Sequence, residues 1–185
     1  LMRLNRHYWW VVAIGALFAL ARFSETFLLL RAQQFDLPVF LVPMVLVVMA
    51  LAYSLSSYPA GVLSDRVDRT SLLATGFVLL VIADIVLAFA ENLTVVGIGV
   101  VFWGLHMGFT QGLLAALVAD TATPDLRGTA FGAFNLVTGI ALLIASVAAG
   151  ALWGIAGARA TFLAGALFST LALGGLLALH ARPTR

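Results

Sequence analysis

Four ionisable side chains stand inside long apolar runs of this sequence: Arg22, Glu25, Asp84 and His106. In lipid, a charged group at mid-helix costs about 2.5–3.5 kcal/mol on insertion scales, so groups kept there are candidates for ion pairing, proton transfer or ligand contact. Arg22 and Glu25 are three apart and share a helix face, where they can pair. At about 1.5 Å of rise per residue, they lie roughly 21 and 26 Å from the start of their run, and Asp84 lies about 20 Å from the same surface. The three read as a charge cluster that exchanges partners or a proton. The plain alternative is a static pair at Arg22, with Glu25 reaching to the interface. His106 lies about 18 Å into its own run. Its imidazole changes charge near neutral pH, which suits proton coupling or a hydrogen bond to substrate, although a neutral ring bonded to a neighbouring helix is an equally physical reading. Gln111 lies on a different face, in line with Gly104 and Gly108, and is expected at a helix interface if His106 faces a cavity. Covalent catalysis finds no support. A Gly-x-Ser-Gly turn and an HExxH zinc signature are both missing, and His106 is the one histidine within a run. With no cysteine either, the residues call for no metal and no cofactor.

The elements that must position these groups follow from composition. Of 185 residues, 63% are hydrophobic and 10% charged, and the mean hydropathy is +1.10. A soluble domain keeps about a quarter of its residues charged, so this chain belongs in lipid. Six runs are long enough to cross a hydrocarbon core of about 30 Å. They are Tyr8 to Leu30, Pro38 to Tyr58, Ser71 to Ala90, Thr94 to Ala119, Thr129 to Trp153 and Ala158 to Leu179. Ala and Leu favour helix, and the alternating segments of a barrel are absent. The fold class is therefore an all-α membrane protein with six transmembrane helices in one domain. Spans one to three and four to six are of similar length and begin on opposite sides, the arrangement of two inverted three-helix repeats. The first run follows a short basic stretch but is too long for a signal peptide and is read as a retained helix.

All ten basic residues are arginines, and they cluster at span ends. Arg3, Arg6, Arg66, Arg69, Arg127, Arg182 and Arg185 fall on one side, against Arg31 and Arg159 on the other. The positive-inside rule places both termini in the cytoplasm, and the pattern is one of topology and not of nucleic-acid binding. Trp9, Trp10 and Trp153 sit at span ends. Gly104, Gly108 and Gly112, and likewise Ser146, Gly150 and Gly154, form small-residue stripes that let helices approach. Pro43 is expected to kink the second span. Asn135 and Thr138 lie in the cytoplasmic half of the fifth, where they can line a pathway or make one bundle hydrogen bond.

The connector after the second span reads Gly61-Val62-Leu63-Ser64-Asp65-Arg66-Val67-Asp68-Arg69. It resembles the G-x-L-x-D-R-x-G-R signature of the major facilitator superfamily, with Asp68 where the family has Gly and Thr70 where a further basic residue is frequent. The connector from Ala119 through Asp120, Thr121, Pro124, Asp125, Arg127 and Gly128 to Gly132 is similar to the family segment in which an Arg-Gly pair opens the fifth helix. The resemblance extends over nearly the whole chain and is to a C-terminal six-helix half.

That resemblance implies secondary transport of a small molecule by alternating access, with proton-coupled efflux as the expected subclass. It makes Gly61, Asp65, Arg66 and Arg69 a conformational-switch loop, and Asp120, Arg127 and Gly128 a second cytoplasmic loop. Asp65 is expected to meet a helix N-terminus, worth about 0.3–1 kcal/mol, unless it sits in an ordinary solvated turn. The family lines its cavity with the first and fourth helices of each half, which nominates Arg22, Glu25, His106 and Gln111, beside Asp84, for the substrate or proton pathway. The implied partners are the bilayer, a small-molecule substrate, and a missing N-terminal half or a second copy. The implied location is the inner membrane of a bacterium. A non-transporting membrane scaffold or assembly subunit is the alternative.

Overall fold

The computed structural model describes residues 6–180, so Arg3, Arg182 and Arg185 lie outside the described residues. Helices α1 (Arg6–Ala21), α2 (Thr26–Gln33), α3 (Val42–Ser64), α4 (Arg69–Ala88), α5 (Leu93–Thr121) and α6 (Arg127–His180) account for most of them, and the described residues contain no strand. Five stretches are long and apolar enough to cross a membrane, α1 and α2 counting as one. Polar residues punctuate the chain. Asp68 accepts a hydrogen bond from the Ser71 amide (3.0 Å) and opens α4, and Asn92 accepts one from the Val95 amide (3.0 Å) and opens α5. Each side chain satisfies an amide that the first helical turn leaves unpaired.

Three boundaries differ from the sequence expectation. The first span is broken: α1 ends at Ala21 and α2 starts at Thr26, with Arg22–Glu25 between them. The Ser24 amide donates to Ser146 Oγ of α6 (3.2 Å), and Ser24 Oγ accepts from the Thr26 amide (3.3 Å). These local and tertiary bonds replace the helical ladder across the break. The second span runs on to Ser64, so Gly61 to Ser64 are helical rather than connector, and Pro59 lies within the helix. Pro43 sits in the first turn, where a missing amide costs nothing, and no kink arises there.

The fifth and sixth runs follow one another with only a kink between them, so α6 consists of two helical limbs that meet at Gly157, the one non-helical residue within it (φ 78°, ψ 179°). That conformation is open essentially to glycine alone. The two limbs pack on different helices. In the first, Tyr8 Oη donates to the Ala130 carbonyl (2.8 Å) and Gly15 of α1 faces Phe134 and Thr138, while in the second Gly165 meets Asp84 of α4. Trp153 and Phe162 have ring centroids 6.1 Å apart although a straight helix would separate them by about 13.5 Å of rise, so the element bends sharply between them.

Helix α5 is central, with α3 and α4 packed along it; α1 and α4 bind the limbs of α6. Gly104 and Gly108 face Met49, Ala52, Tyr53 and Ser56 so closely that a Cβ has no room, which brings the α3 and α5 backbones together. Gly112, next in the stripe, faces open space, as does Gly154. Overpacking a tight contact costs about 1–3 kcal/mol. Gly108→Leu is therefore expected to lower thermal stability in detergent by that amount. Gly112→Ala, which gains helix propensity, is expected to leave stability unchanged or raise it by up to about 1 kcal/mol. Equal melting curves for the two variants would refute this packing account. Outward faces carry Leu55, Tyr58, Leu143 and Ile155, each more than half exposed, as suits a chain solvated by lipid.

Candidate functional site

Arg22 is the first residue of the break after α1, its amide still donating to the Phe18 carbonyl (3.0 Å). Arg22 lines a cavity of about 380 Å³ together with Gly15, Phe18 and Ala19 of α1, Gln111, Leu114 and Ala115 of α5, and Phe131, Phe134, Asn135, Thr138, Gly139 and Leu142 of α6. Arg22 also lines a second cavity of about 380 Å³, with Phe23, Ser24, Glu25, Gly139, Leu142, Leu143 and Ser146. Arg22 thus borders two spaces, and Glu25 borders one of them. Arg22 Nη2 is 3.7 Å from Glu25 Oε1, with the side chains 21% and 36% exposed. That is ion-pair range but longer than a hydrogen bond, so Arg22 keeps donors for another acceptor.

The other nominated residues separate. Gln111 lines the first cavity, whereas His106 is fully buried and borders neither. The His106 ring stands edge-on to Trp103 (5.5 Å) and Phe18 (6.0 Å), and no side chain among the described residues partners its nitrogens. Of the two α5 residues nominated for the pathway, Gln111 borders the cavity and His106 is packed inside the bundle. Asp84 is fully buried against the second limb of α6, and its carboxyl oxygens have no hydrogen-bond partner among the described residues. A Cβ on Gly165 would lie 2.8 Å from Asp84 Oδ2 and 2.9 Å from Phe23 Cε1. Asp84 is thus behind Phe23, the residue next to Arg22 in the break, and no ion pair among the described residues joins it to Arg22 or Glu25. Phe23 in turn meets Trp103 (5.6 Å) and Phe162 (5.5 Å).

Phe18, Phe131 and Phe134 are cavity residues that the sequence reading passed over. For Phe131 a signal was available: Phe131, Asn135, Thr138 and Leu142 recur at helical spacing and mark one face of the first limb.

At the end of the bundle where α4 begins, Arg69 pairs with Asp120, joining the two loops that the sequence treated separately. Asp68, and not Asp65, meets the N-terminus of α4; Asp65 closes α3 and is exposed, as are Arg66, Arg127 and Gly128. Half-exposed pairs of this kind contribute about 0.2–1 kcal/mol. Asp120→Arg is expected to destabilise by no more than about 1 kcal/mol, and Arg69→Asp in the same chain to restore the loss. A double-mutant cycle in melting experiments measures the coupling, and zero coupling would make the contact incidental. At the opposite end, Arg31 donates to the carbonyls of Leu87 (2.9 Å) and Ala90 (2.7 Å), and Arg159 lies 4.3 Å over the Phe89 ring. Both minority arginines are thus engaged with the end of α4.

The family profile of the Major Facilitator Superfamily matches residues 8–185. The chain belongs to the major facilitator superfamily. It is 33% identical over 174 residues to an uncharacterised MFS-type transporter of Methanocaldococcus jannaschii, covering 91% of this chain and 43% of that one. A shorter match, 30% identical over 79 residues, covers 43% of this chain and 17% of the arabinose–proton symporter of Bacillus subtilis. The fold matches that of the POT family transporter PepTSo, with a TM-score of 0.77 at 16% identity over 96% of this chain and 38% of that one. The chain therefore spans less than half the length of these relatives. Membership places it in a family of multi-pass membrane transporters.

Proposed function

We propose that this chain is a six-helix half of a secondary transporter that moves a small molecule by alternating access, with proton-coupled efflux as the mode. The observation that carries the reading is Arg22, held in a break of the first span where two cavities meet. A half-buried charge at such a point is costly in a scaffold, whereas in a carrier it contacts the cargo. On this reading α6 crosses the bilayer twice: 54 residues would form a rod of about 81 Å, far longer than a bilayer, and the Gly157 bend divides it. Six crossings, in two inverted triplets, return both termini to the arginine-rich side, the cytoplasm of a bacterial inner membrane. The incomplete coverage of relatives supports a partner, either another six-helix half or a second copy, that closes the open side of the cavity.

Asp84 and His106 are the candidates for carrying the proton, and Arg22, Glu25 and Gln111 for the substrate. The Arg69–Asp120 pair, with Gly61, Asp65 and Arg66 beside it and Arg127 and Gly128 across the loop, is the contact that switches between states. The test is flux in proteoliposomes containing the full-length gene product, with and without an imposed pH gradient, using a panel of labelled small molecules. Gradient-driven flux of at least one supports the reading. A protein that folds, yet moves none in either condition, returns the chain to the scaffold alternative.

A further inference from the structure

We infer that the cavity beside Arg22 binds an organic anion: a molecule with one carboxylate or similar oxyanion on an apolar, aromatic-sized body. The inference rests on the transport reading and names the class of its cargo. Among the residues lining the first cavity, Arg22 alone carries a formal charge, and the others are apolar or neutral. Two of the neutral residues, Gln111 of α5 and Asn135 of α6, carry carboxamides, and no protein group engages either side chain among the described residues. The Thr138 hydroxyl donates to the Phe134 carbonyl (2.8 Å), so only its oxygen is left, as an acceptor. The cavity thus offers a guanidinium with five N–H donors and two amides with two each, against two amide oxygens and one hydroxyl oxygen as acceptors. Such a donor excess matches an oxyanion, which a guanidinium holds by two parallel hydrogen bonds, and opposes an ammonium by charge repulsion.

Phe18, Phe131 and Phe134 supply the remaining wall and suit a flat apolar body, and about 380 Å³ is ample for a bicyclic acid. Glu25 gives the site its release device. Its carboxylate, 3.7 Å from the guanidinium and bordering the second cavity, is an internal substitute for the anionic cargo. When the anion occupies Arg22 from the first cavity, Glu25 is displaced; when Glu25 closes on Arg22, the anion leaves.

The experiment is equilibrium dialysis of three isosteric probes, 1-naphthoate, 1-naphthamide and 1-naphthylmethylammonium, with the detergent-purified full-length gene product. Expected is tenfold or greater preference for naphthoate over naphthamide, about 1.4 kcal/mol, with the ammonium weakest. Arg22→Gln should erase the preference and Arg22→Lys keep part of it, while Glu25→Gln should tighten naphthoate by removing its competitor. Melting curves establish that each variant is folded, and Glu25→Gln keeps the test open should Arg22→Gln fail to fold. Equal binding of naphthamide, tighter binding of the ammonium, no binding of any probe at millimolar concentration, or a preference that survives Arg22→Gln overturns the inference. Flux measured in parallel separates the two readings. Transport of cations alone sinks the anion site and leaves the carrier, while anion-selective binding without flux of any compound sinks the carrier and leaves the site.

Discussion

Arg22→Gln is expected to reduce transport by the full-length protein about 100-fold, equivalent to about 2.7 kcal/mol, with its melting temperature little changed. Removing one member of a close, partly desolvated charge contact costs about 2–5 kcal/mol, and the contact proposed between Arg22 and an anionic cargo meets that description. Arg22 lines both cavities, and its intramolecular partner Glu25 stands at 3.7 Å, too far for a hydrogen bond. Arg22→Lys keeps a point charge but loses the planar fork, so an intermediate rate is expected. The stability forecast has its own reason: the backbone of the break is held by Ser24, Thr26 and Ser146 and not by the guanidinium. Initial rates in proteoliposomes check the effect. A glutamine variant that transports at the normal rate would remove Arg22 from the pathway.

Asp84→Asn is the second large effect, and it concerns coupling. The asparagine has the same shape and fits the same niche between Gly165 and Phe23, but it cannot take up or release a proton. Gradient-driven flux is expected to fall at least tenfold, about 1.4 kcal/mol in the driving interaction, while substrate exchange without a gradient persists. The separation of the two assays tells a proton carrier from a structural side chain, since a misfolded or mispacked bundle would lose both. A variant with intact gradient-driven flux would leave His106 as the candidate. Position explains how Asp84 can act at a distance from Arg22: Phe23 adjoins Arg22 in the chain and touches the same spot over Gly165 as the carboxyl. Movement of the break therefore changes what Asp84 packs against.

Much of the fold was legible because lipid is a strict solvent. A segment crossing it must satisfy its backbone internally, so each long apolar run had to be helical, and the caps at Asp68 and Asn92 stand just before the third and fourth runs. What the runs could not disclose was whether a helix continues through a polar or proline residue. Arg22–Glu25 interrupts a run that hydropathy reads as continuous, because Ser146, 122 residues away, takes over an amide of the ladder. Pro59 is accepted inside α3 although it ends an apolar run. Gly157, by contrast, falls in the connector between the fifth and sixth runs, and its positive φ makes that connector a kink between two helical limbs.

The site divides along the same line. From the residues alone came a short set of costly polar groups and two loops rich in charge, since hydropathy and spacing depend on one segment at a time. Which of those groups share a space depends on how each helix is rotated about its axis, and that is decided by packing among segments. Contact of Gly104 and Gly108 with α3 and of Trp103 with Phe23 turns His106 inward and leaves Gln111 facing Arg22. The bend at Gly157 then carries Gly165 to Asp84, and the turn of the loops carries Arg69 to Asp120. Types and costs were written in the chain; neighbours were settled by close packing, which no single segment contains.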